Sequence, residues 1–222
     1  DLTFDDYNAM WWWSIEDLDG FWSAIWEFFD VRASQQPETF IAKRQMPGAE
    51  WCPGARLNYA DQILKHAEDR PDEIALVVQS ETFGRSETTW GALRDQVASV
   101  ADHLRGMGVE KGDRVVAILP NTEVALIAFL ATASLGAVWS LCAPDMGHVA
   151  ILDRFTQIEP KVLIAQDGYV HAGKMTDRRD VLAQIGAALP SVNHFVTVAV
   201  AGDLPGGHVA WDDLIHGTGA YA

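Results

Sequence analysis

Polar and apolar positions change rhythm twice along this chain. In the first thirty residues, Phe21, Ile25 and Phe28 lie three to four apart, and Trp22, Trp26 and Phe29 form a second row beside them. Together they predict a helix with a wide apolar stripe. Ser14 and Asp17 have capping-box spacing, with Asp in place of the usual Glu. A helix docked by its aromatic face explains the stripe better than a stacking platform for a ligand, so Trp22 and Trp26 are expected to be buried. Pro37, Pro47, Gly48, Pro53 and Gly54 then break any long element. A helix is predicted over 58–68, stopped by Pro71.

From Ile74 onward, short β-rich runs alternate with helical patterns. Strands are predicted over 74–78, 113–119, 137–142, 162–165 and 195–200. Helices are predicted over 88–105, 122–135, 149–158 and 177–189, with a short segment at 211–215. Gly106, Gly108 and Gly136 stand where helices should end. Alternation of this kind predicts an α/β fold with a mainly parallel sheet flanked by helices. Two regions follow: a helical amino-terminal extension over 1–70 and an α/β subdomain over 71–222. Ligands of such sheets gather beyond the carboxyl ends of strands. The segments to watch are therefore 120–122, 143–147 and 166–174.

The chain has 222 residues, of which 49% are hydrophobic and 21% charged. That is enough apolar material for a core without staples, and it rules out disorder over the whole length. No run approaches the roughly 18 apolar residues of a membrane span. Two cysteines, Cys52 and Cys142, make no disulfide framework, so a reducing cytoplasm is expected. The net charge of −15 argues against a nucleic-acid partner, though one local basic patch would still serve a small anion. Eight acids and no Lys or Arg fall within residues 1–30, so an anionic membrane surface is no better a partner. The chain opens at Asp1 with no visible signal peptide, and a start inside a longer protein is one expectation.

Most chemical motifs fail. Gly106, Gly108 and Gly112 follow a helix instead of opening one, so they form no dinucleotide fingerprint. There is no Walker-type phosphate loop and no Gly-x-Ser-x-Gly elbow. The seven His residues show no metal-ligand spacing, so neither a metal site nor a catalytic residue is assigned. Ser134 and Ser140 read as packing residues, and Cys142 as an inert buried thiol.

Gly108-Val-x-x-Gly-Asp-Arg-Val, then Leu119-Pro-Asn, then a buried helix ending Ser134-Leu-Gly-Ala-Val138 resembles the first subdomain of the adenylate-forming acyl-CoA synthetases. Two stretches resemble their acetoacetyl-CoA synthetase branch. One is Trp51-Cys-Pro-Gly-Ala-Arg-Leu-Asn-Tyr-Ala60. The other is Trp139-Ser-Leu-Cys-Ala-Pro-Asp-Met-Gly147 with Leu152-Asp-Arg-Phe-x-Gln-Ile-Glu-Pro-Lys161. The aromatic arm is similar to the amino-terminal extension of the same group. The resemblance implies a ligase that uses ATP, Mg2+ and coenzyme A, whose phosphate loop and catalytic Lys have no counterpart in these residues. The chain alone is then expected to be catalytically silent, to bind none of these tightly, to pack against the rest of the same polypeptide and to self-associate without it. Acetyl- or other short-chain acyl-CoA synthetases and a non-catalytic binding module are the alternatives.

The resemblance also implies a site. Related synthetases contact the nucleotide end of coenzyme A through a Gly-Val-Arg-Ala-Gly-Arg segment, where this chain has Gly168-Tyr-Val-His-Ala-Gly-Lys174 with one insertion. Lys174 replaces the second Arg and His171 the first, with Gly173 between them. Ala143, Pro144 and Asp145 are expected to line the same tunnel. A tight strand-to-helix turn, with Asp145 capping the next helix, is the structural alternative for those three.

Overall fold

The computed structural model describes residues 2–216. Two compact units lie along the chain, 1–62 and 63–222.

The first unit opens with α1 (Tyr7–Glu16) and α2 (Leu18–Phe28). Asp6 caps α1 by accepting from the Ala9 N–H at 2.8 Å, and Asp17 caps α2 by accepting from Gly20 at 2.9 Å. This corrects the expected capping box. Asp17 is itself the cap of the second helix, while Ser14 lies inside α1 and donates to the Trp11 carbonyl at 2.7 Å. A pair of short strands follows, β1 (Ile41–Lys43) and β2 (Glu50–Trp51), paired antiparallel. Asp19 ties α2 to this pair, accepting from Thr39 Oγ1 and from the Phe40 and Ile41 amides at 2.7–3.1 Å. These bonds, the Thr39 hydroxyl first, hold its carboxyl below the usual range.

The aromatic stripe is not a buried face. No residue of α1 or α2 is buried, and Trp22 is 42% exposed. Its rings meet edge to face instead: Phe21 with Trp22, Trp22 with Trp51 and Trp26 with Phe40, at centroid distances of 5.3–5.8 Å. An open apolar groove of about 370 Å³ runs between Trp22, Trp26, Phe40, Trp51 and Cys52.

The helix expected over 58–68 is two short pieces, α3 (Tyr59–Leu64), which reaches into the second unit, and α4 (His66–Asp69). An antiparallel hairpin follows, β3 (Ile74–Ser80) with β4 (Gly84–Thr89), separate from the main sheet. Here β4 takes residues that helical periodicity had partly claimed. Thr89, in extended backbone, accepts from the Ala92 N–H and starts α5 (Trp90–Gly106). Gly108, at φ +79°, turns the chain in the left-handed region just past that helix.

The remaining elements are β5 (Arg114–Ile118), α6 (Glu123–Ser134), β6 (Val138–Cys142), α7 (His148–Phe155), β7 (Val162–Gln166), β8 (Gly168–His171), β9 (Lys174–Asp177), α8 (Arg179–Ala188), β10 (His194–Val198), β11 (Val209–Ala210) and α9 (Trp211–Ile215). Five of these strands form a wholly parallel sheet in the order β11-β10-β7-β5-β6. Strand β5 sits inside it, pairing Val116 with Ser140 on one side and with Leu163 on the other. On one face Val116, Ile118, Leu163 and Ala165 meet Ile151 and Phe155 of α7 and Leu182 and Ile185 of α8 in one core. On the helical side α5 packs on α6 and α9, and α9 on β10. All five residues of β7 are buried, as two-sided cover requires.

After β5 the chain steps to β6 at one edge, then crosses back to β7 and continues outward to β10 and β11. Strand order therefore reverses around β5. A doubly covered sheet binds ligands at such a reversal, beyond the carboxyl ends of its strands.

Candidate functional site

Two segments leave the carboxyl ends of the strands flanking β5. The first, after β6, is a tight turn in which the Met146 N–H donates to the Ala143 carbonyl at 3.2 Å. Pro144 and Asp145 occupy its two central positions, where proline pre-sets the backbone. Asp145 does not cap the next helix: Gly147 is the cap residue of α7 and no side chain bonds there. Two arginines hold the turn. Arg178 donates from Nη2 to the Met146 carbonyl at 2.8 Å, and Arg154 points Nη1 at the Met146 sulfur at 3.2 Å.

The second segment, after β7, is the β8–β9 hairpin. A run of nine mixed residues gives little periodicity, and its Ala-Gly turn is a weaker hairpin signal than Asn-Gly. The alternation was nonetheless there. Tyr169 and His171 are two apart on β8, so they share one face, and Lys174 lies directly opposite His171 on β9. One face of the hairpin thus carries a phenol, an imidazole and an ammonium group. Ala172 and Gly173 form the turn, both in the left-handed region.

The structure brings Pro144, Asp145 and His171 together, with Tyr169, around an open pocket of about 200 Å³. Pro144 is buried; Asp145 and His171 are exposed. Ala143, Gly173 and Lys174 are exposed and lie outside this lining. Gly173 and Lys174 sit at the hairpin tip beside His171, and Ala143 precedes the turn. Sequence reasoning missed Tyr169, which the period of two on β8 would have found, and Arg178, which only the folded contact reveals.

The base of the hairpin is fixed by charge. Arg179 donates to both carboxylate oxygens of Asp177 and holds its pKa at about 2. Asp167, buried just after β7, accepts from the Val200 and Ala201 amides at 2.6 and 2.8 Å. His208 stacks on Phe195, its Nδ1 lies 2.8 Å from Thr197 Oγ1, and burial lowers its pKa. Among the described residues no group of three or more His, Cys, Asp or Glu side chains stands together as a candidate metal site. No described helix is long and apolar enough to cross a membrane.

The arrangement can take a ring against Tyr169 and Pro144, accept hydrogen bonds at Asp145, and meet an anion at Lys174 and His171. Residues 7–63 match the family described as acetyl-coenzyme A synthetase N-terminus, and residues 63–213 match the family described as AMP-binding enzyme. The acetoacetyl-CoA synthetase from Streptomyces lividans shares 44% identity with a TM-score of 0.95, over 99% of this chain and 34% of that one. The rat acetoacetyl-CoA synthetase is 36% identical over all of this chain and 34% of its own length. The enzyme of that name from Rhizobium meliloti is 38% identical over 90% of this chain and 30% of its own. The chain thus spans about a third of the length of these relatives. With residues 63–213 matched, more than half of its length, the chain belongs to the AMP-binding enzyme family.

Proposed function

We propose that this chain is the amino-terminal part of an ATP-dependent acetoacetate–CoA ligase. In that reaction acetoacetate attacks the α-phosphorus of ATP, giving acetoacetyl-adenylate and pyrophosphate. The thiol of coenzyme A then displaces AMP and leaves the thioester. The observation that carries the reading is the whole-chain match, at 44% identity and a TM-score of 0.95, to a synthetase of that name.

The part assigned to these residues is to hold coenzyme A by its nucleotide end. Lys174 on the hairpin face supplies positive charge for its phosphates, with His171 opposite it, and the pocket of Pro144, Asp145, Tyr169 and His171 takes the nucleoside. Lys174 acts there as a point charge, without the two-pronged grip of an arginine. The adenylate chemistry belongs to residues outside this set, so the chain by itself stays catalytically silent. A cytoplasmic setting fits substrates of this kind.

The match of residues 7–63 to an acetyl-coenzyme A synthetase family makes acetate the competing substrate. The intact open reading frame carrying this chain should be assayed for pyrophosphate exchange with each acid. Exchange with acetoacetate well above that with acetate is expected. A preference for acetate would move the assignment to acetyl-CoA synthesis, and no exchange with either acid would favour a binding module.

A further inference from the structure

The tip of the β8–β9 hairpin carries a contact that the coenzyme A reading does not use. The Gly173 N–H donates to Glu81 Oε2 at 3.0 Å, and Glu81 lies 92 residues earlier on the turn joining β3 to β4. Its neighbour Thr82 does the same for the strand: Thr82 Oγ1 accepts from the Val170 N–H at 3.1 Å. Two successive residues of one turn thus give the hairpin two acceptors. Thr82 gives a neutral hydroxyl. Glu81 gives a carboxylate, held at the amide of Gly173, the residue that precedes Lys174.

Anchoring a hairpin needs only an acceptor, which Thr82 already is. A full negative charge does something more. Ala172 and Gly173, at φ 49° and 72°, form a turn of the kind whose outward amides attract anions. Glu81 fills that place with an anion of the protein's own and opposes the field of Lys174.

We propose that Glu81 is an internal counter-anion of the hairpin tip, which a phosphate-bearing ligand must displace or bind against, and that it thereby sets the affinity for the phosphate end of coenzyme A. The proposal rests on the reading of this tip as a phosphate site. The phosphate end is remote from the reacting thiol, so Glu81 acts equally on coenzyme A and on its thioester. It loosens substrate and product together, which favours release without touching the chemical step.

The test uses the chain itself, with adenosine 3′,5′-bisphosphate as probe and the backbone amide resonances of Gly173 and Lys174 as readout. Glu81→Gln keeps an acceptor for Gly173 and removes the charge. It should lower the Kd about three- to tenfold at low salt, the size expected for one unit charge a few ångströms away in a wet site. The gain should shrink in about 0.5 M salt, where such fields are screened. Thr82→Val removes the neutral anchor and keeps the charge, and should bind no tighter than wild type. Equal or weaker binding by Glu81→Gln would overturn the proposal. Tightening by Thr82→Val as large as that by Glu81→Gln would also overturn it, because release of the hairpin would then be the cause. If both proteins bind equally, the phosphate site stands and only Glu81's role falls. If neither responds, the site is absent and both readings fall.

Discussion

The two units use apolar residues in opposite ways. The first thirty residues hold five Trp and four Phe, yet neither α1 nor α2 buries a single residue. In the second unit the five short side chains of β7, Val-Leu-Ile-Ala-Gln, are all buried. Burial there comes from architecture: a parallel sheet covered by helices on both faces leaves its inner strands no contact with water. The first unit has two helices and a two-stranded ribbon, too little cover for its rings. They stack edge to face and leave a groove. Apolar content alone does not make a core. The number of faces a fold can close around it does.

This contrast can be broken by mutation. Phe155 is fully buried between α7 and the sheet. Phe155→Ala should cost about 3–5 kcal/mol, measured as a shift of the urea midpoint followed by far-UV circular dichroism. Trp22 is a larger ring but 42% exposed, and Trp22→Ala should cost only about 1 kcal/mol by the same measurement. A Trp22 cost equal to that of Phe155 would mean that the arm carries a core of its own kind.

A smaller effect distinguishes the units by pH. His208 belongs to the α/β unit and its pKa is lowered by burial. The unfolded chain therefore takes up a proton near the ordinary value of about 6.5 while the folded chain does not. Stability should fall as pH drops through and below that value, and recover as pH rises. His208→Gln should flatten this slope in urea titrations between about pH 7.5 and 5.5. An unchanged slope would remove His208 from the account.

The sequence carried the α/β unit well, because its strands and helices differ in period over whole segments. Val162 to Ala165 and Glu123 to Ser134 could hardly be read otherwise. It failed where elements are short or where contacts are non-local. Strand β4, Gly-Arg-Ser-Glu-Thr-Thr, is polar and runs straight into a helix, so nothing in its pattern marks a strand. The β8–β9 hairpin is hidden because its strands are four residues each and its Ala-Gly turn is a weak signal. At the candidate site, Lys174, His171, Pro144 and Asp145 stand out by type and by resemblance. Glu81 and Arg178 act through contacts 92 and 32 residues distant in sequence, which no local pattern encodes. The aromatic stripe of α2 shows the converse failure. Its period was right and its burial was not, because period reports which residues share a face but not what covers that face.

The central claim is that the hairpin beyond β7 serves coenzyme A and not the adenylating step. The most direct measurement is Lys174→Ala in the intact protein that carries this chain, with the two proposed half-reactions read separately. A solvated ammonium–phosphate contact is worth about 1–2 kcal/mol, so the KM for coenzyme A should rise about tenfold while acetoacetate-dependent pyrophosphate exchange stays near wild type. An equal loss in both half-reactions would show that Lys174 supports folding, and an unchanged KM would show an ordinary surface lysine; either result contradicts the claim.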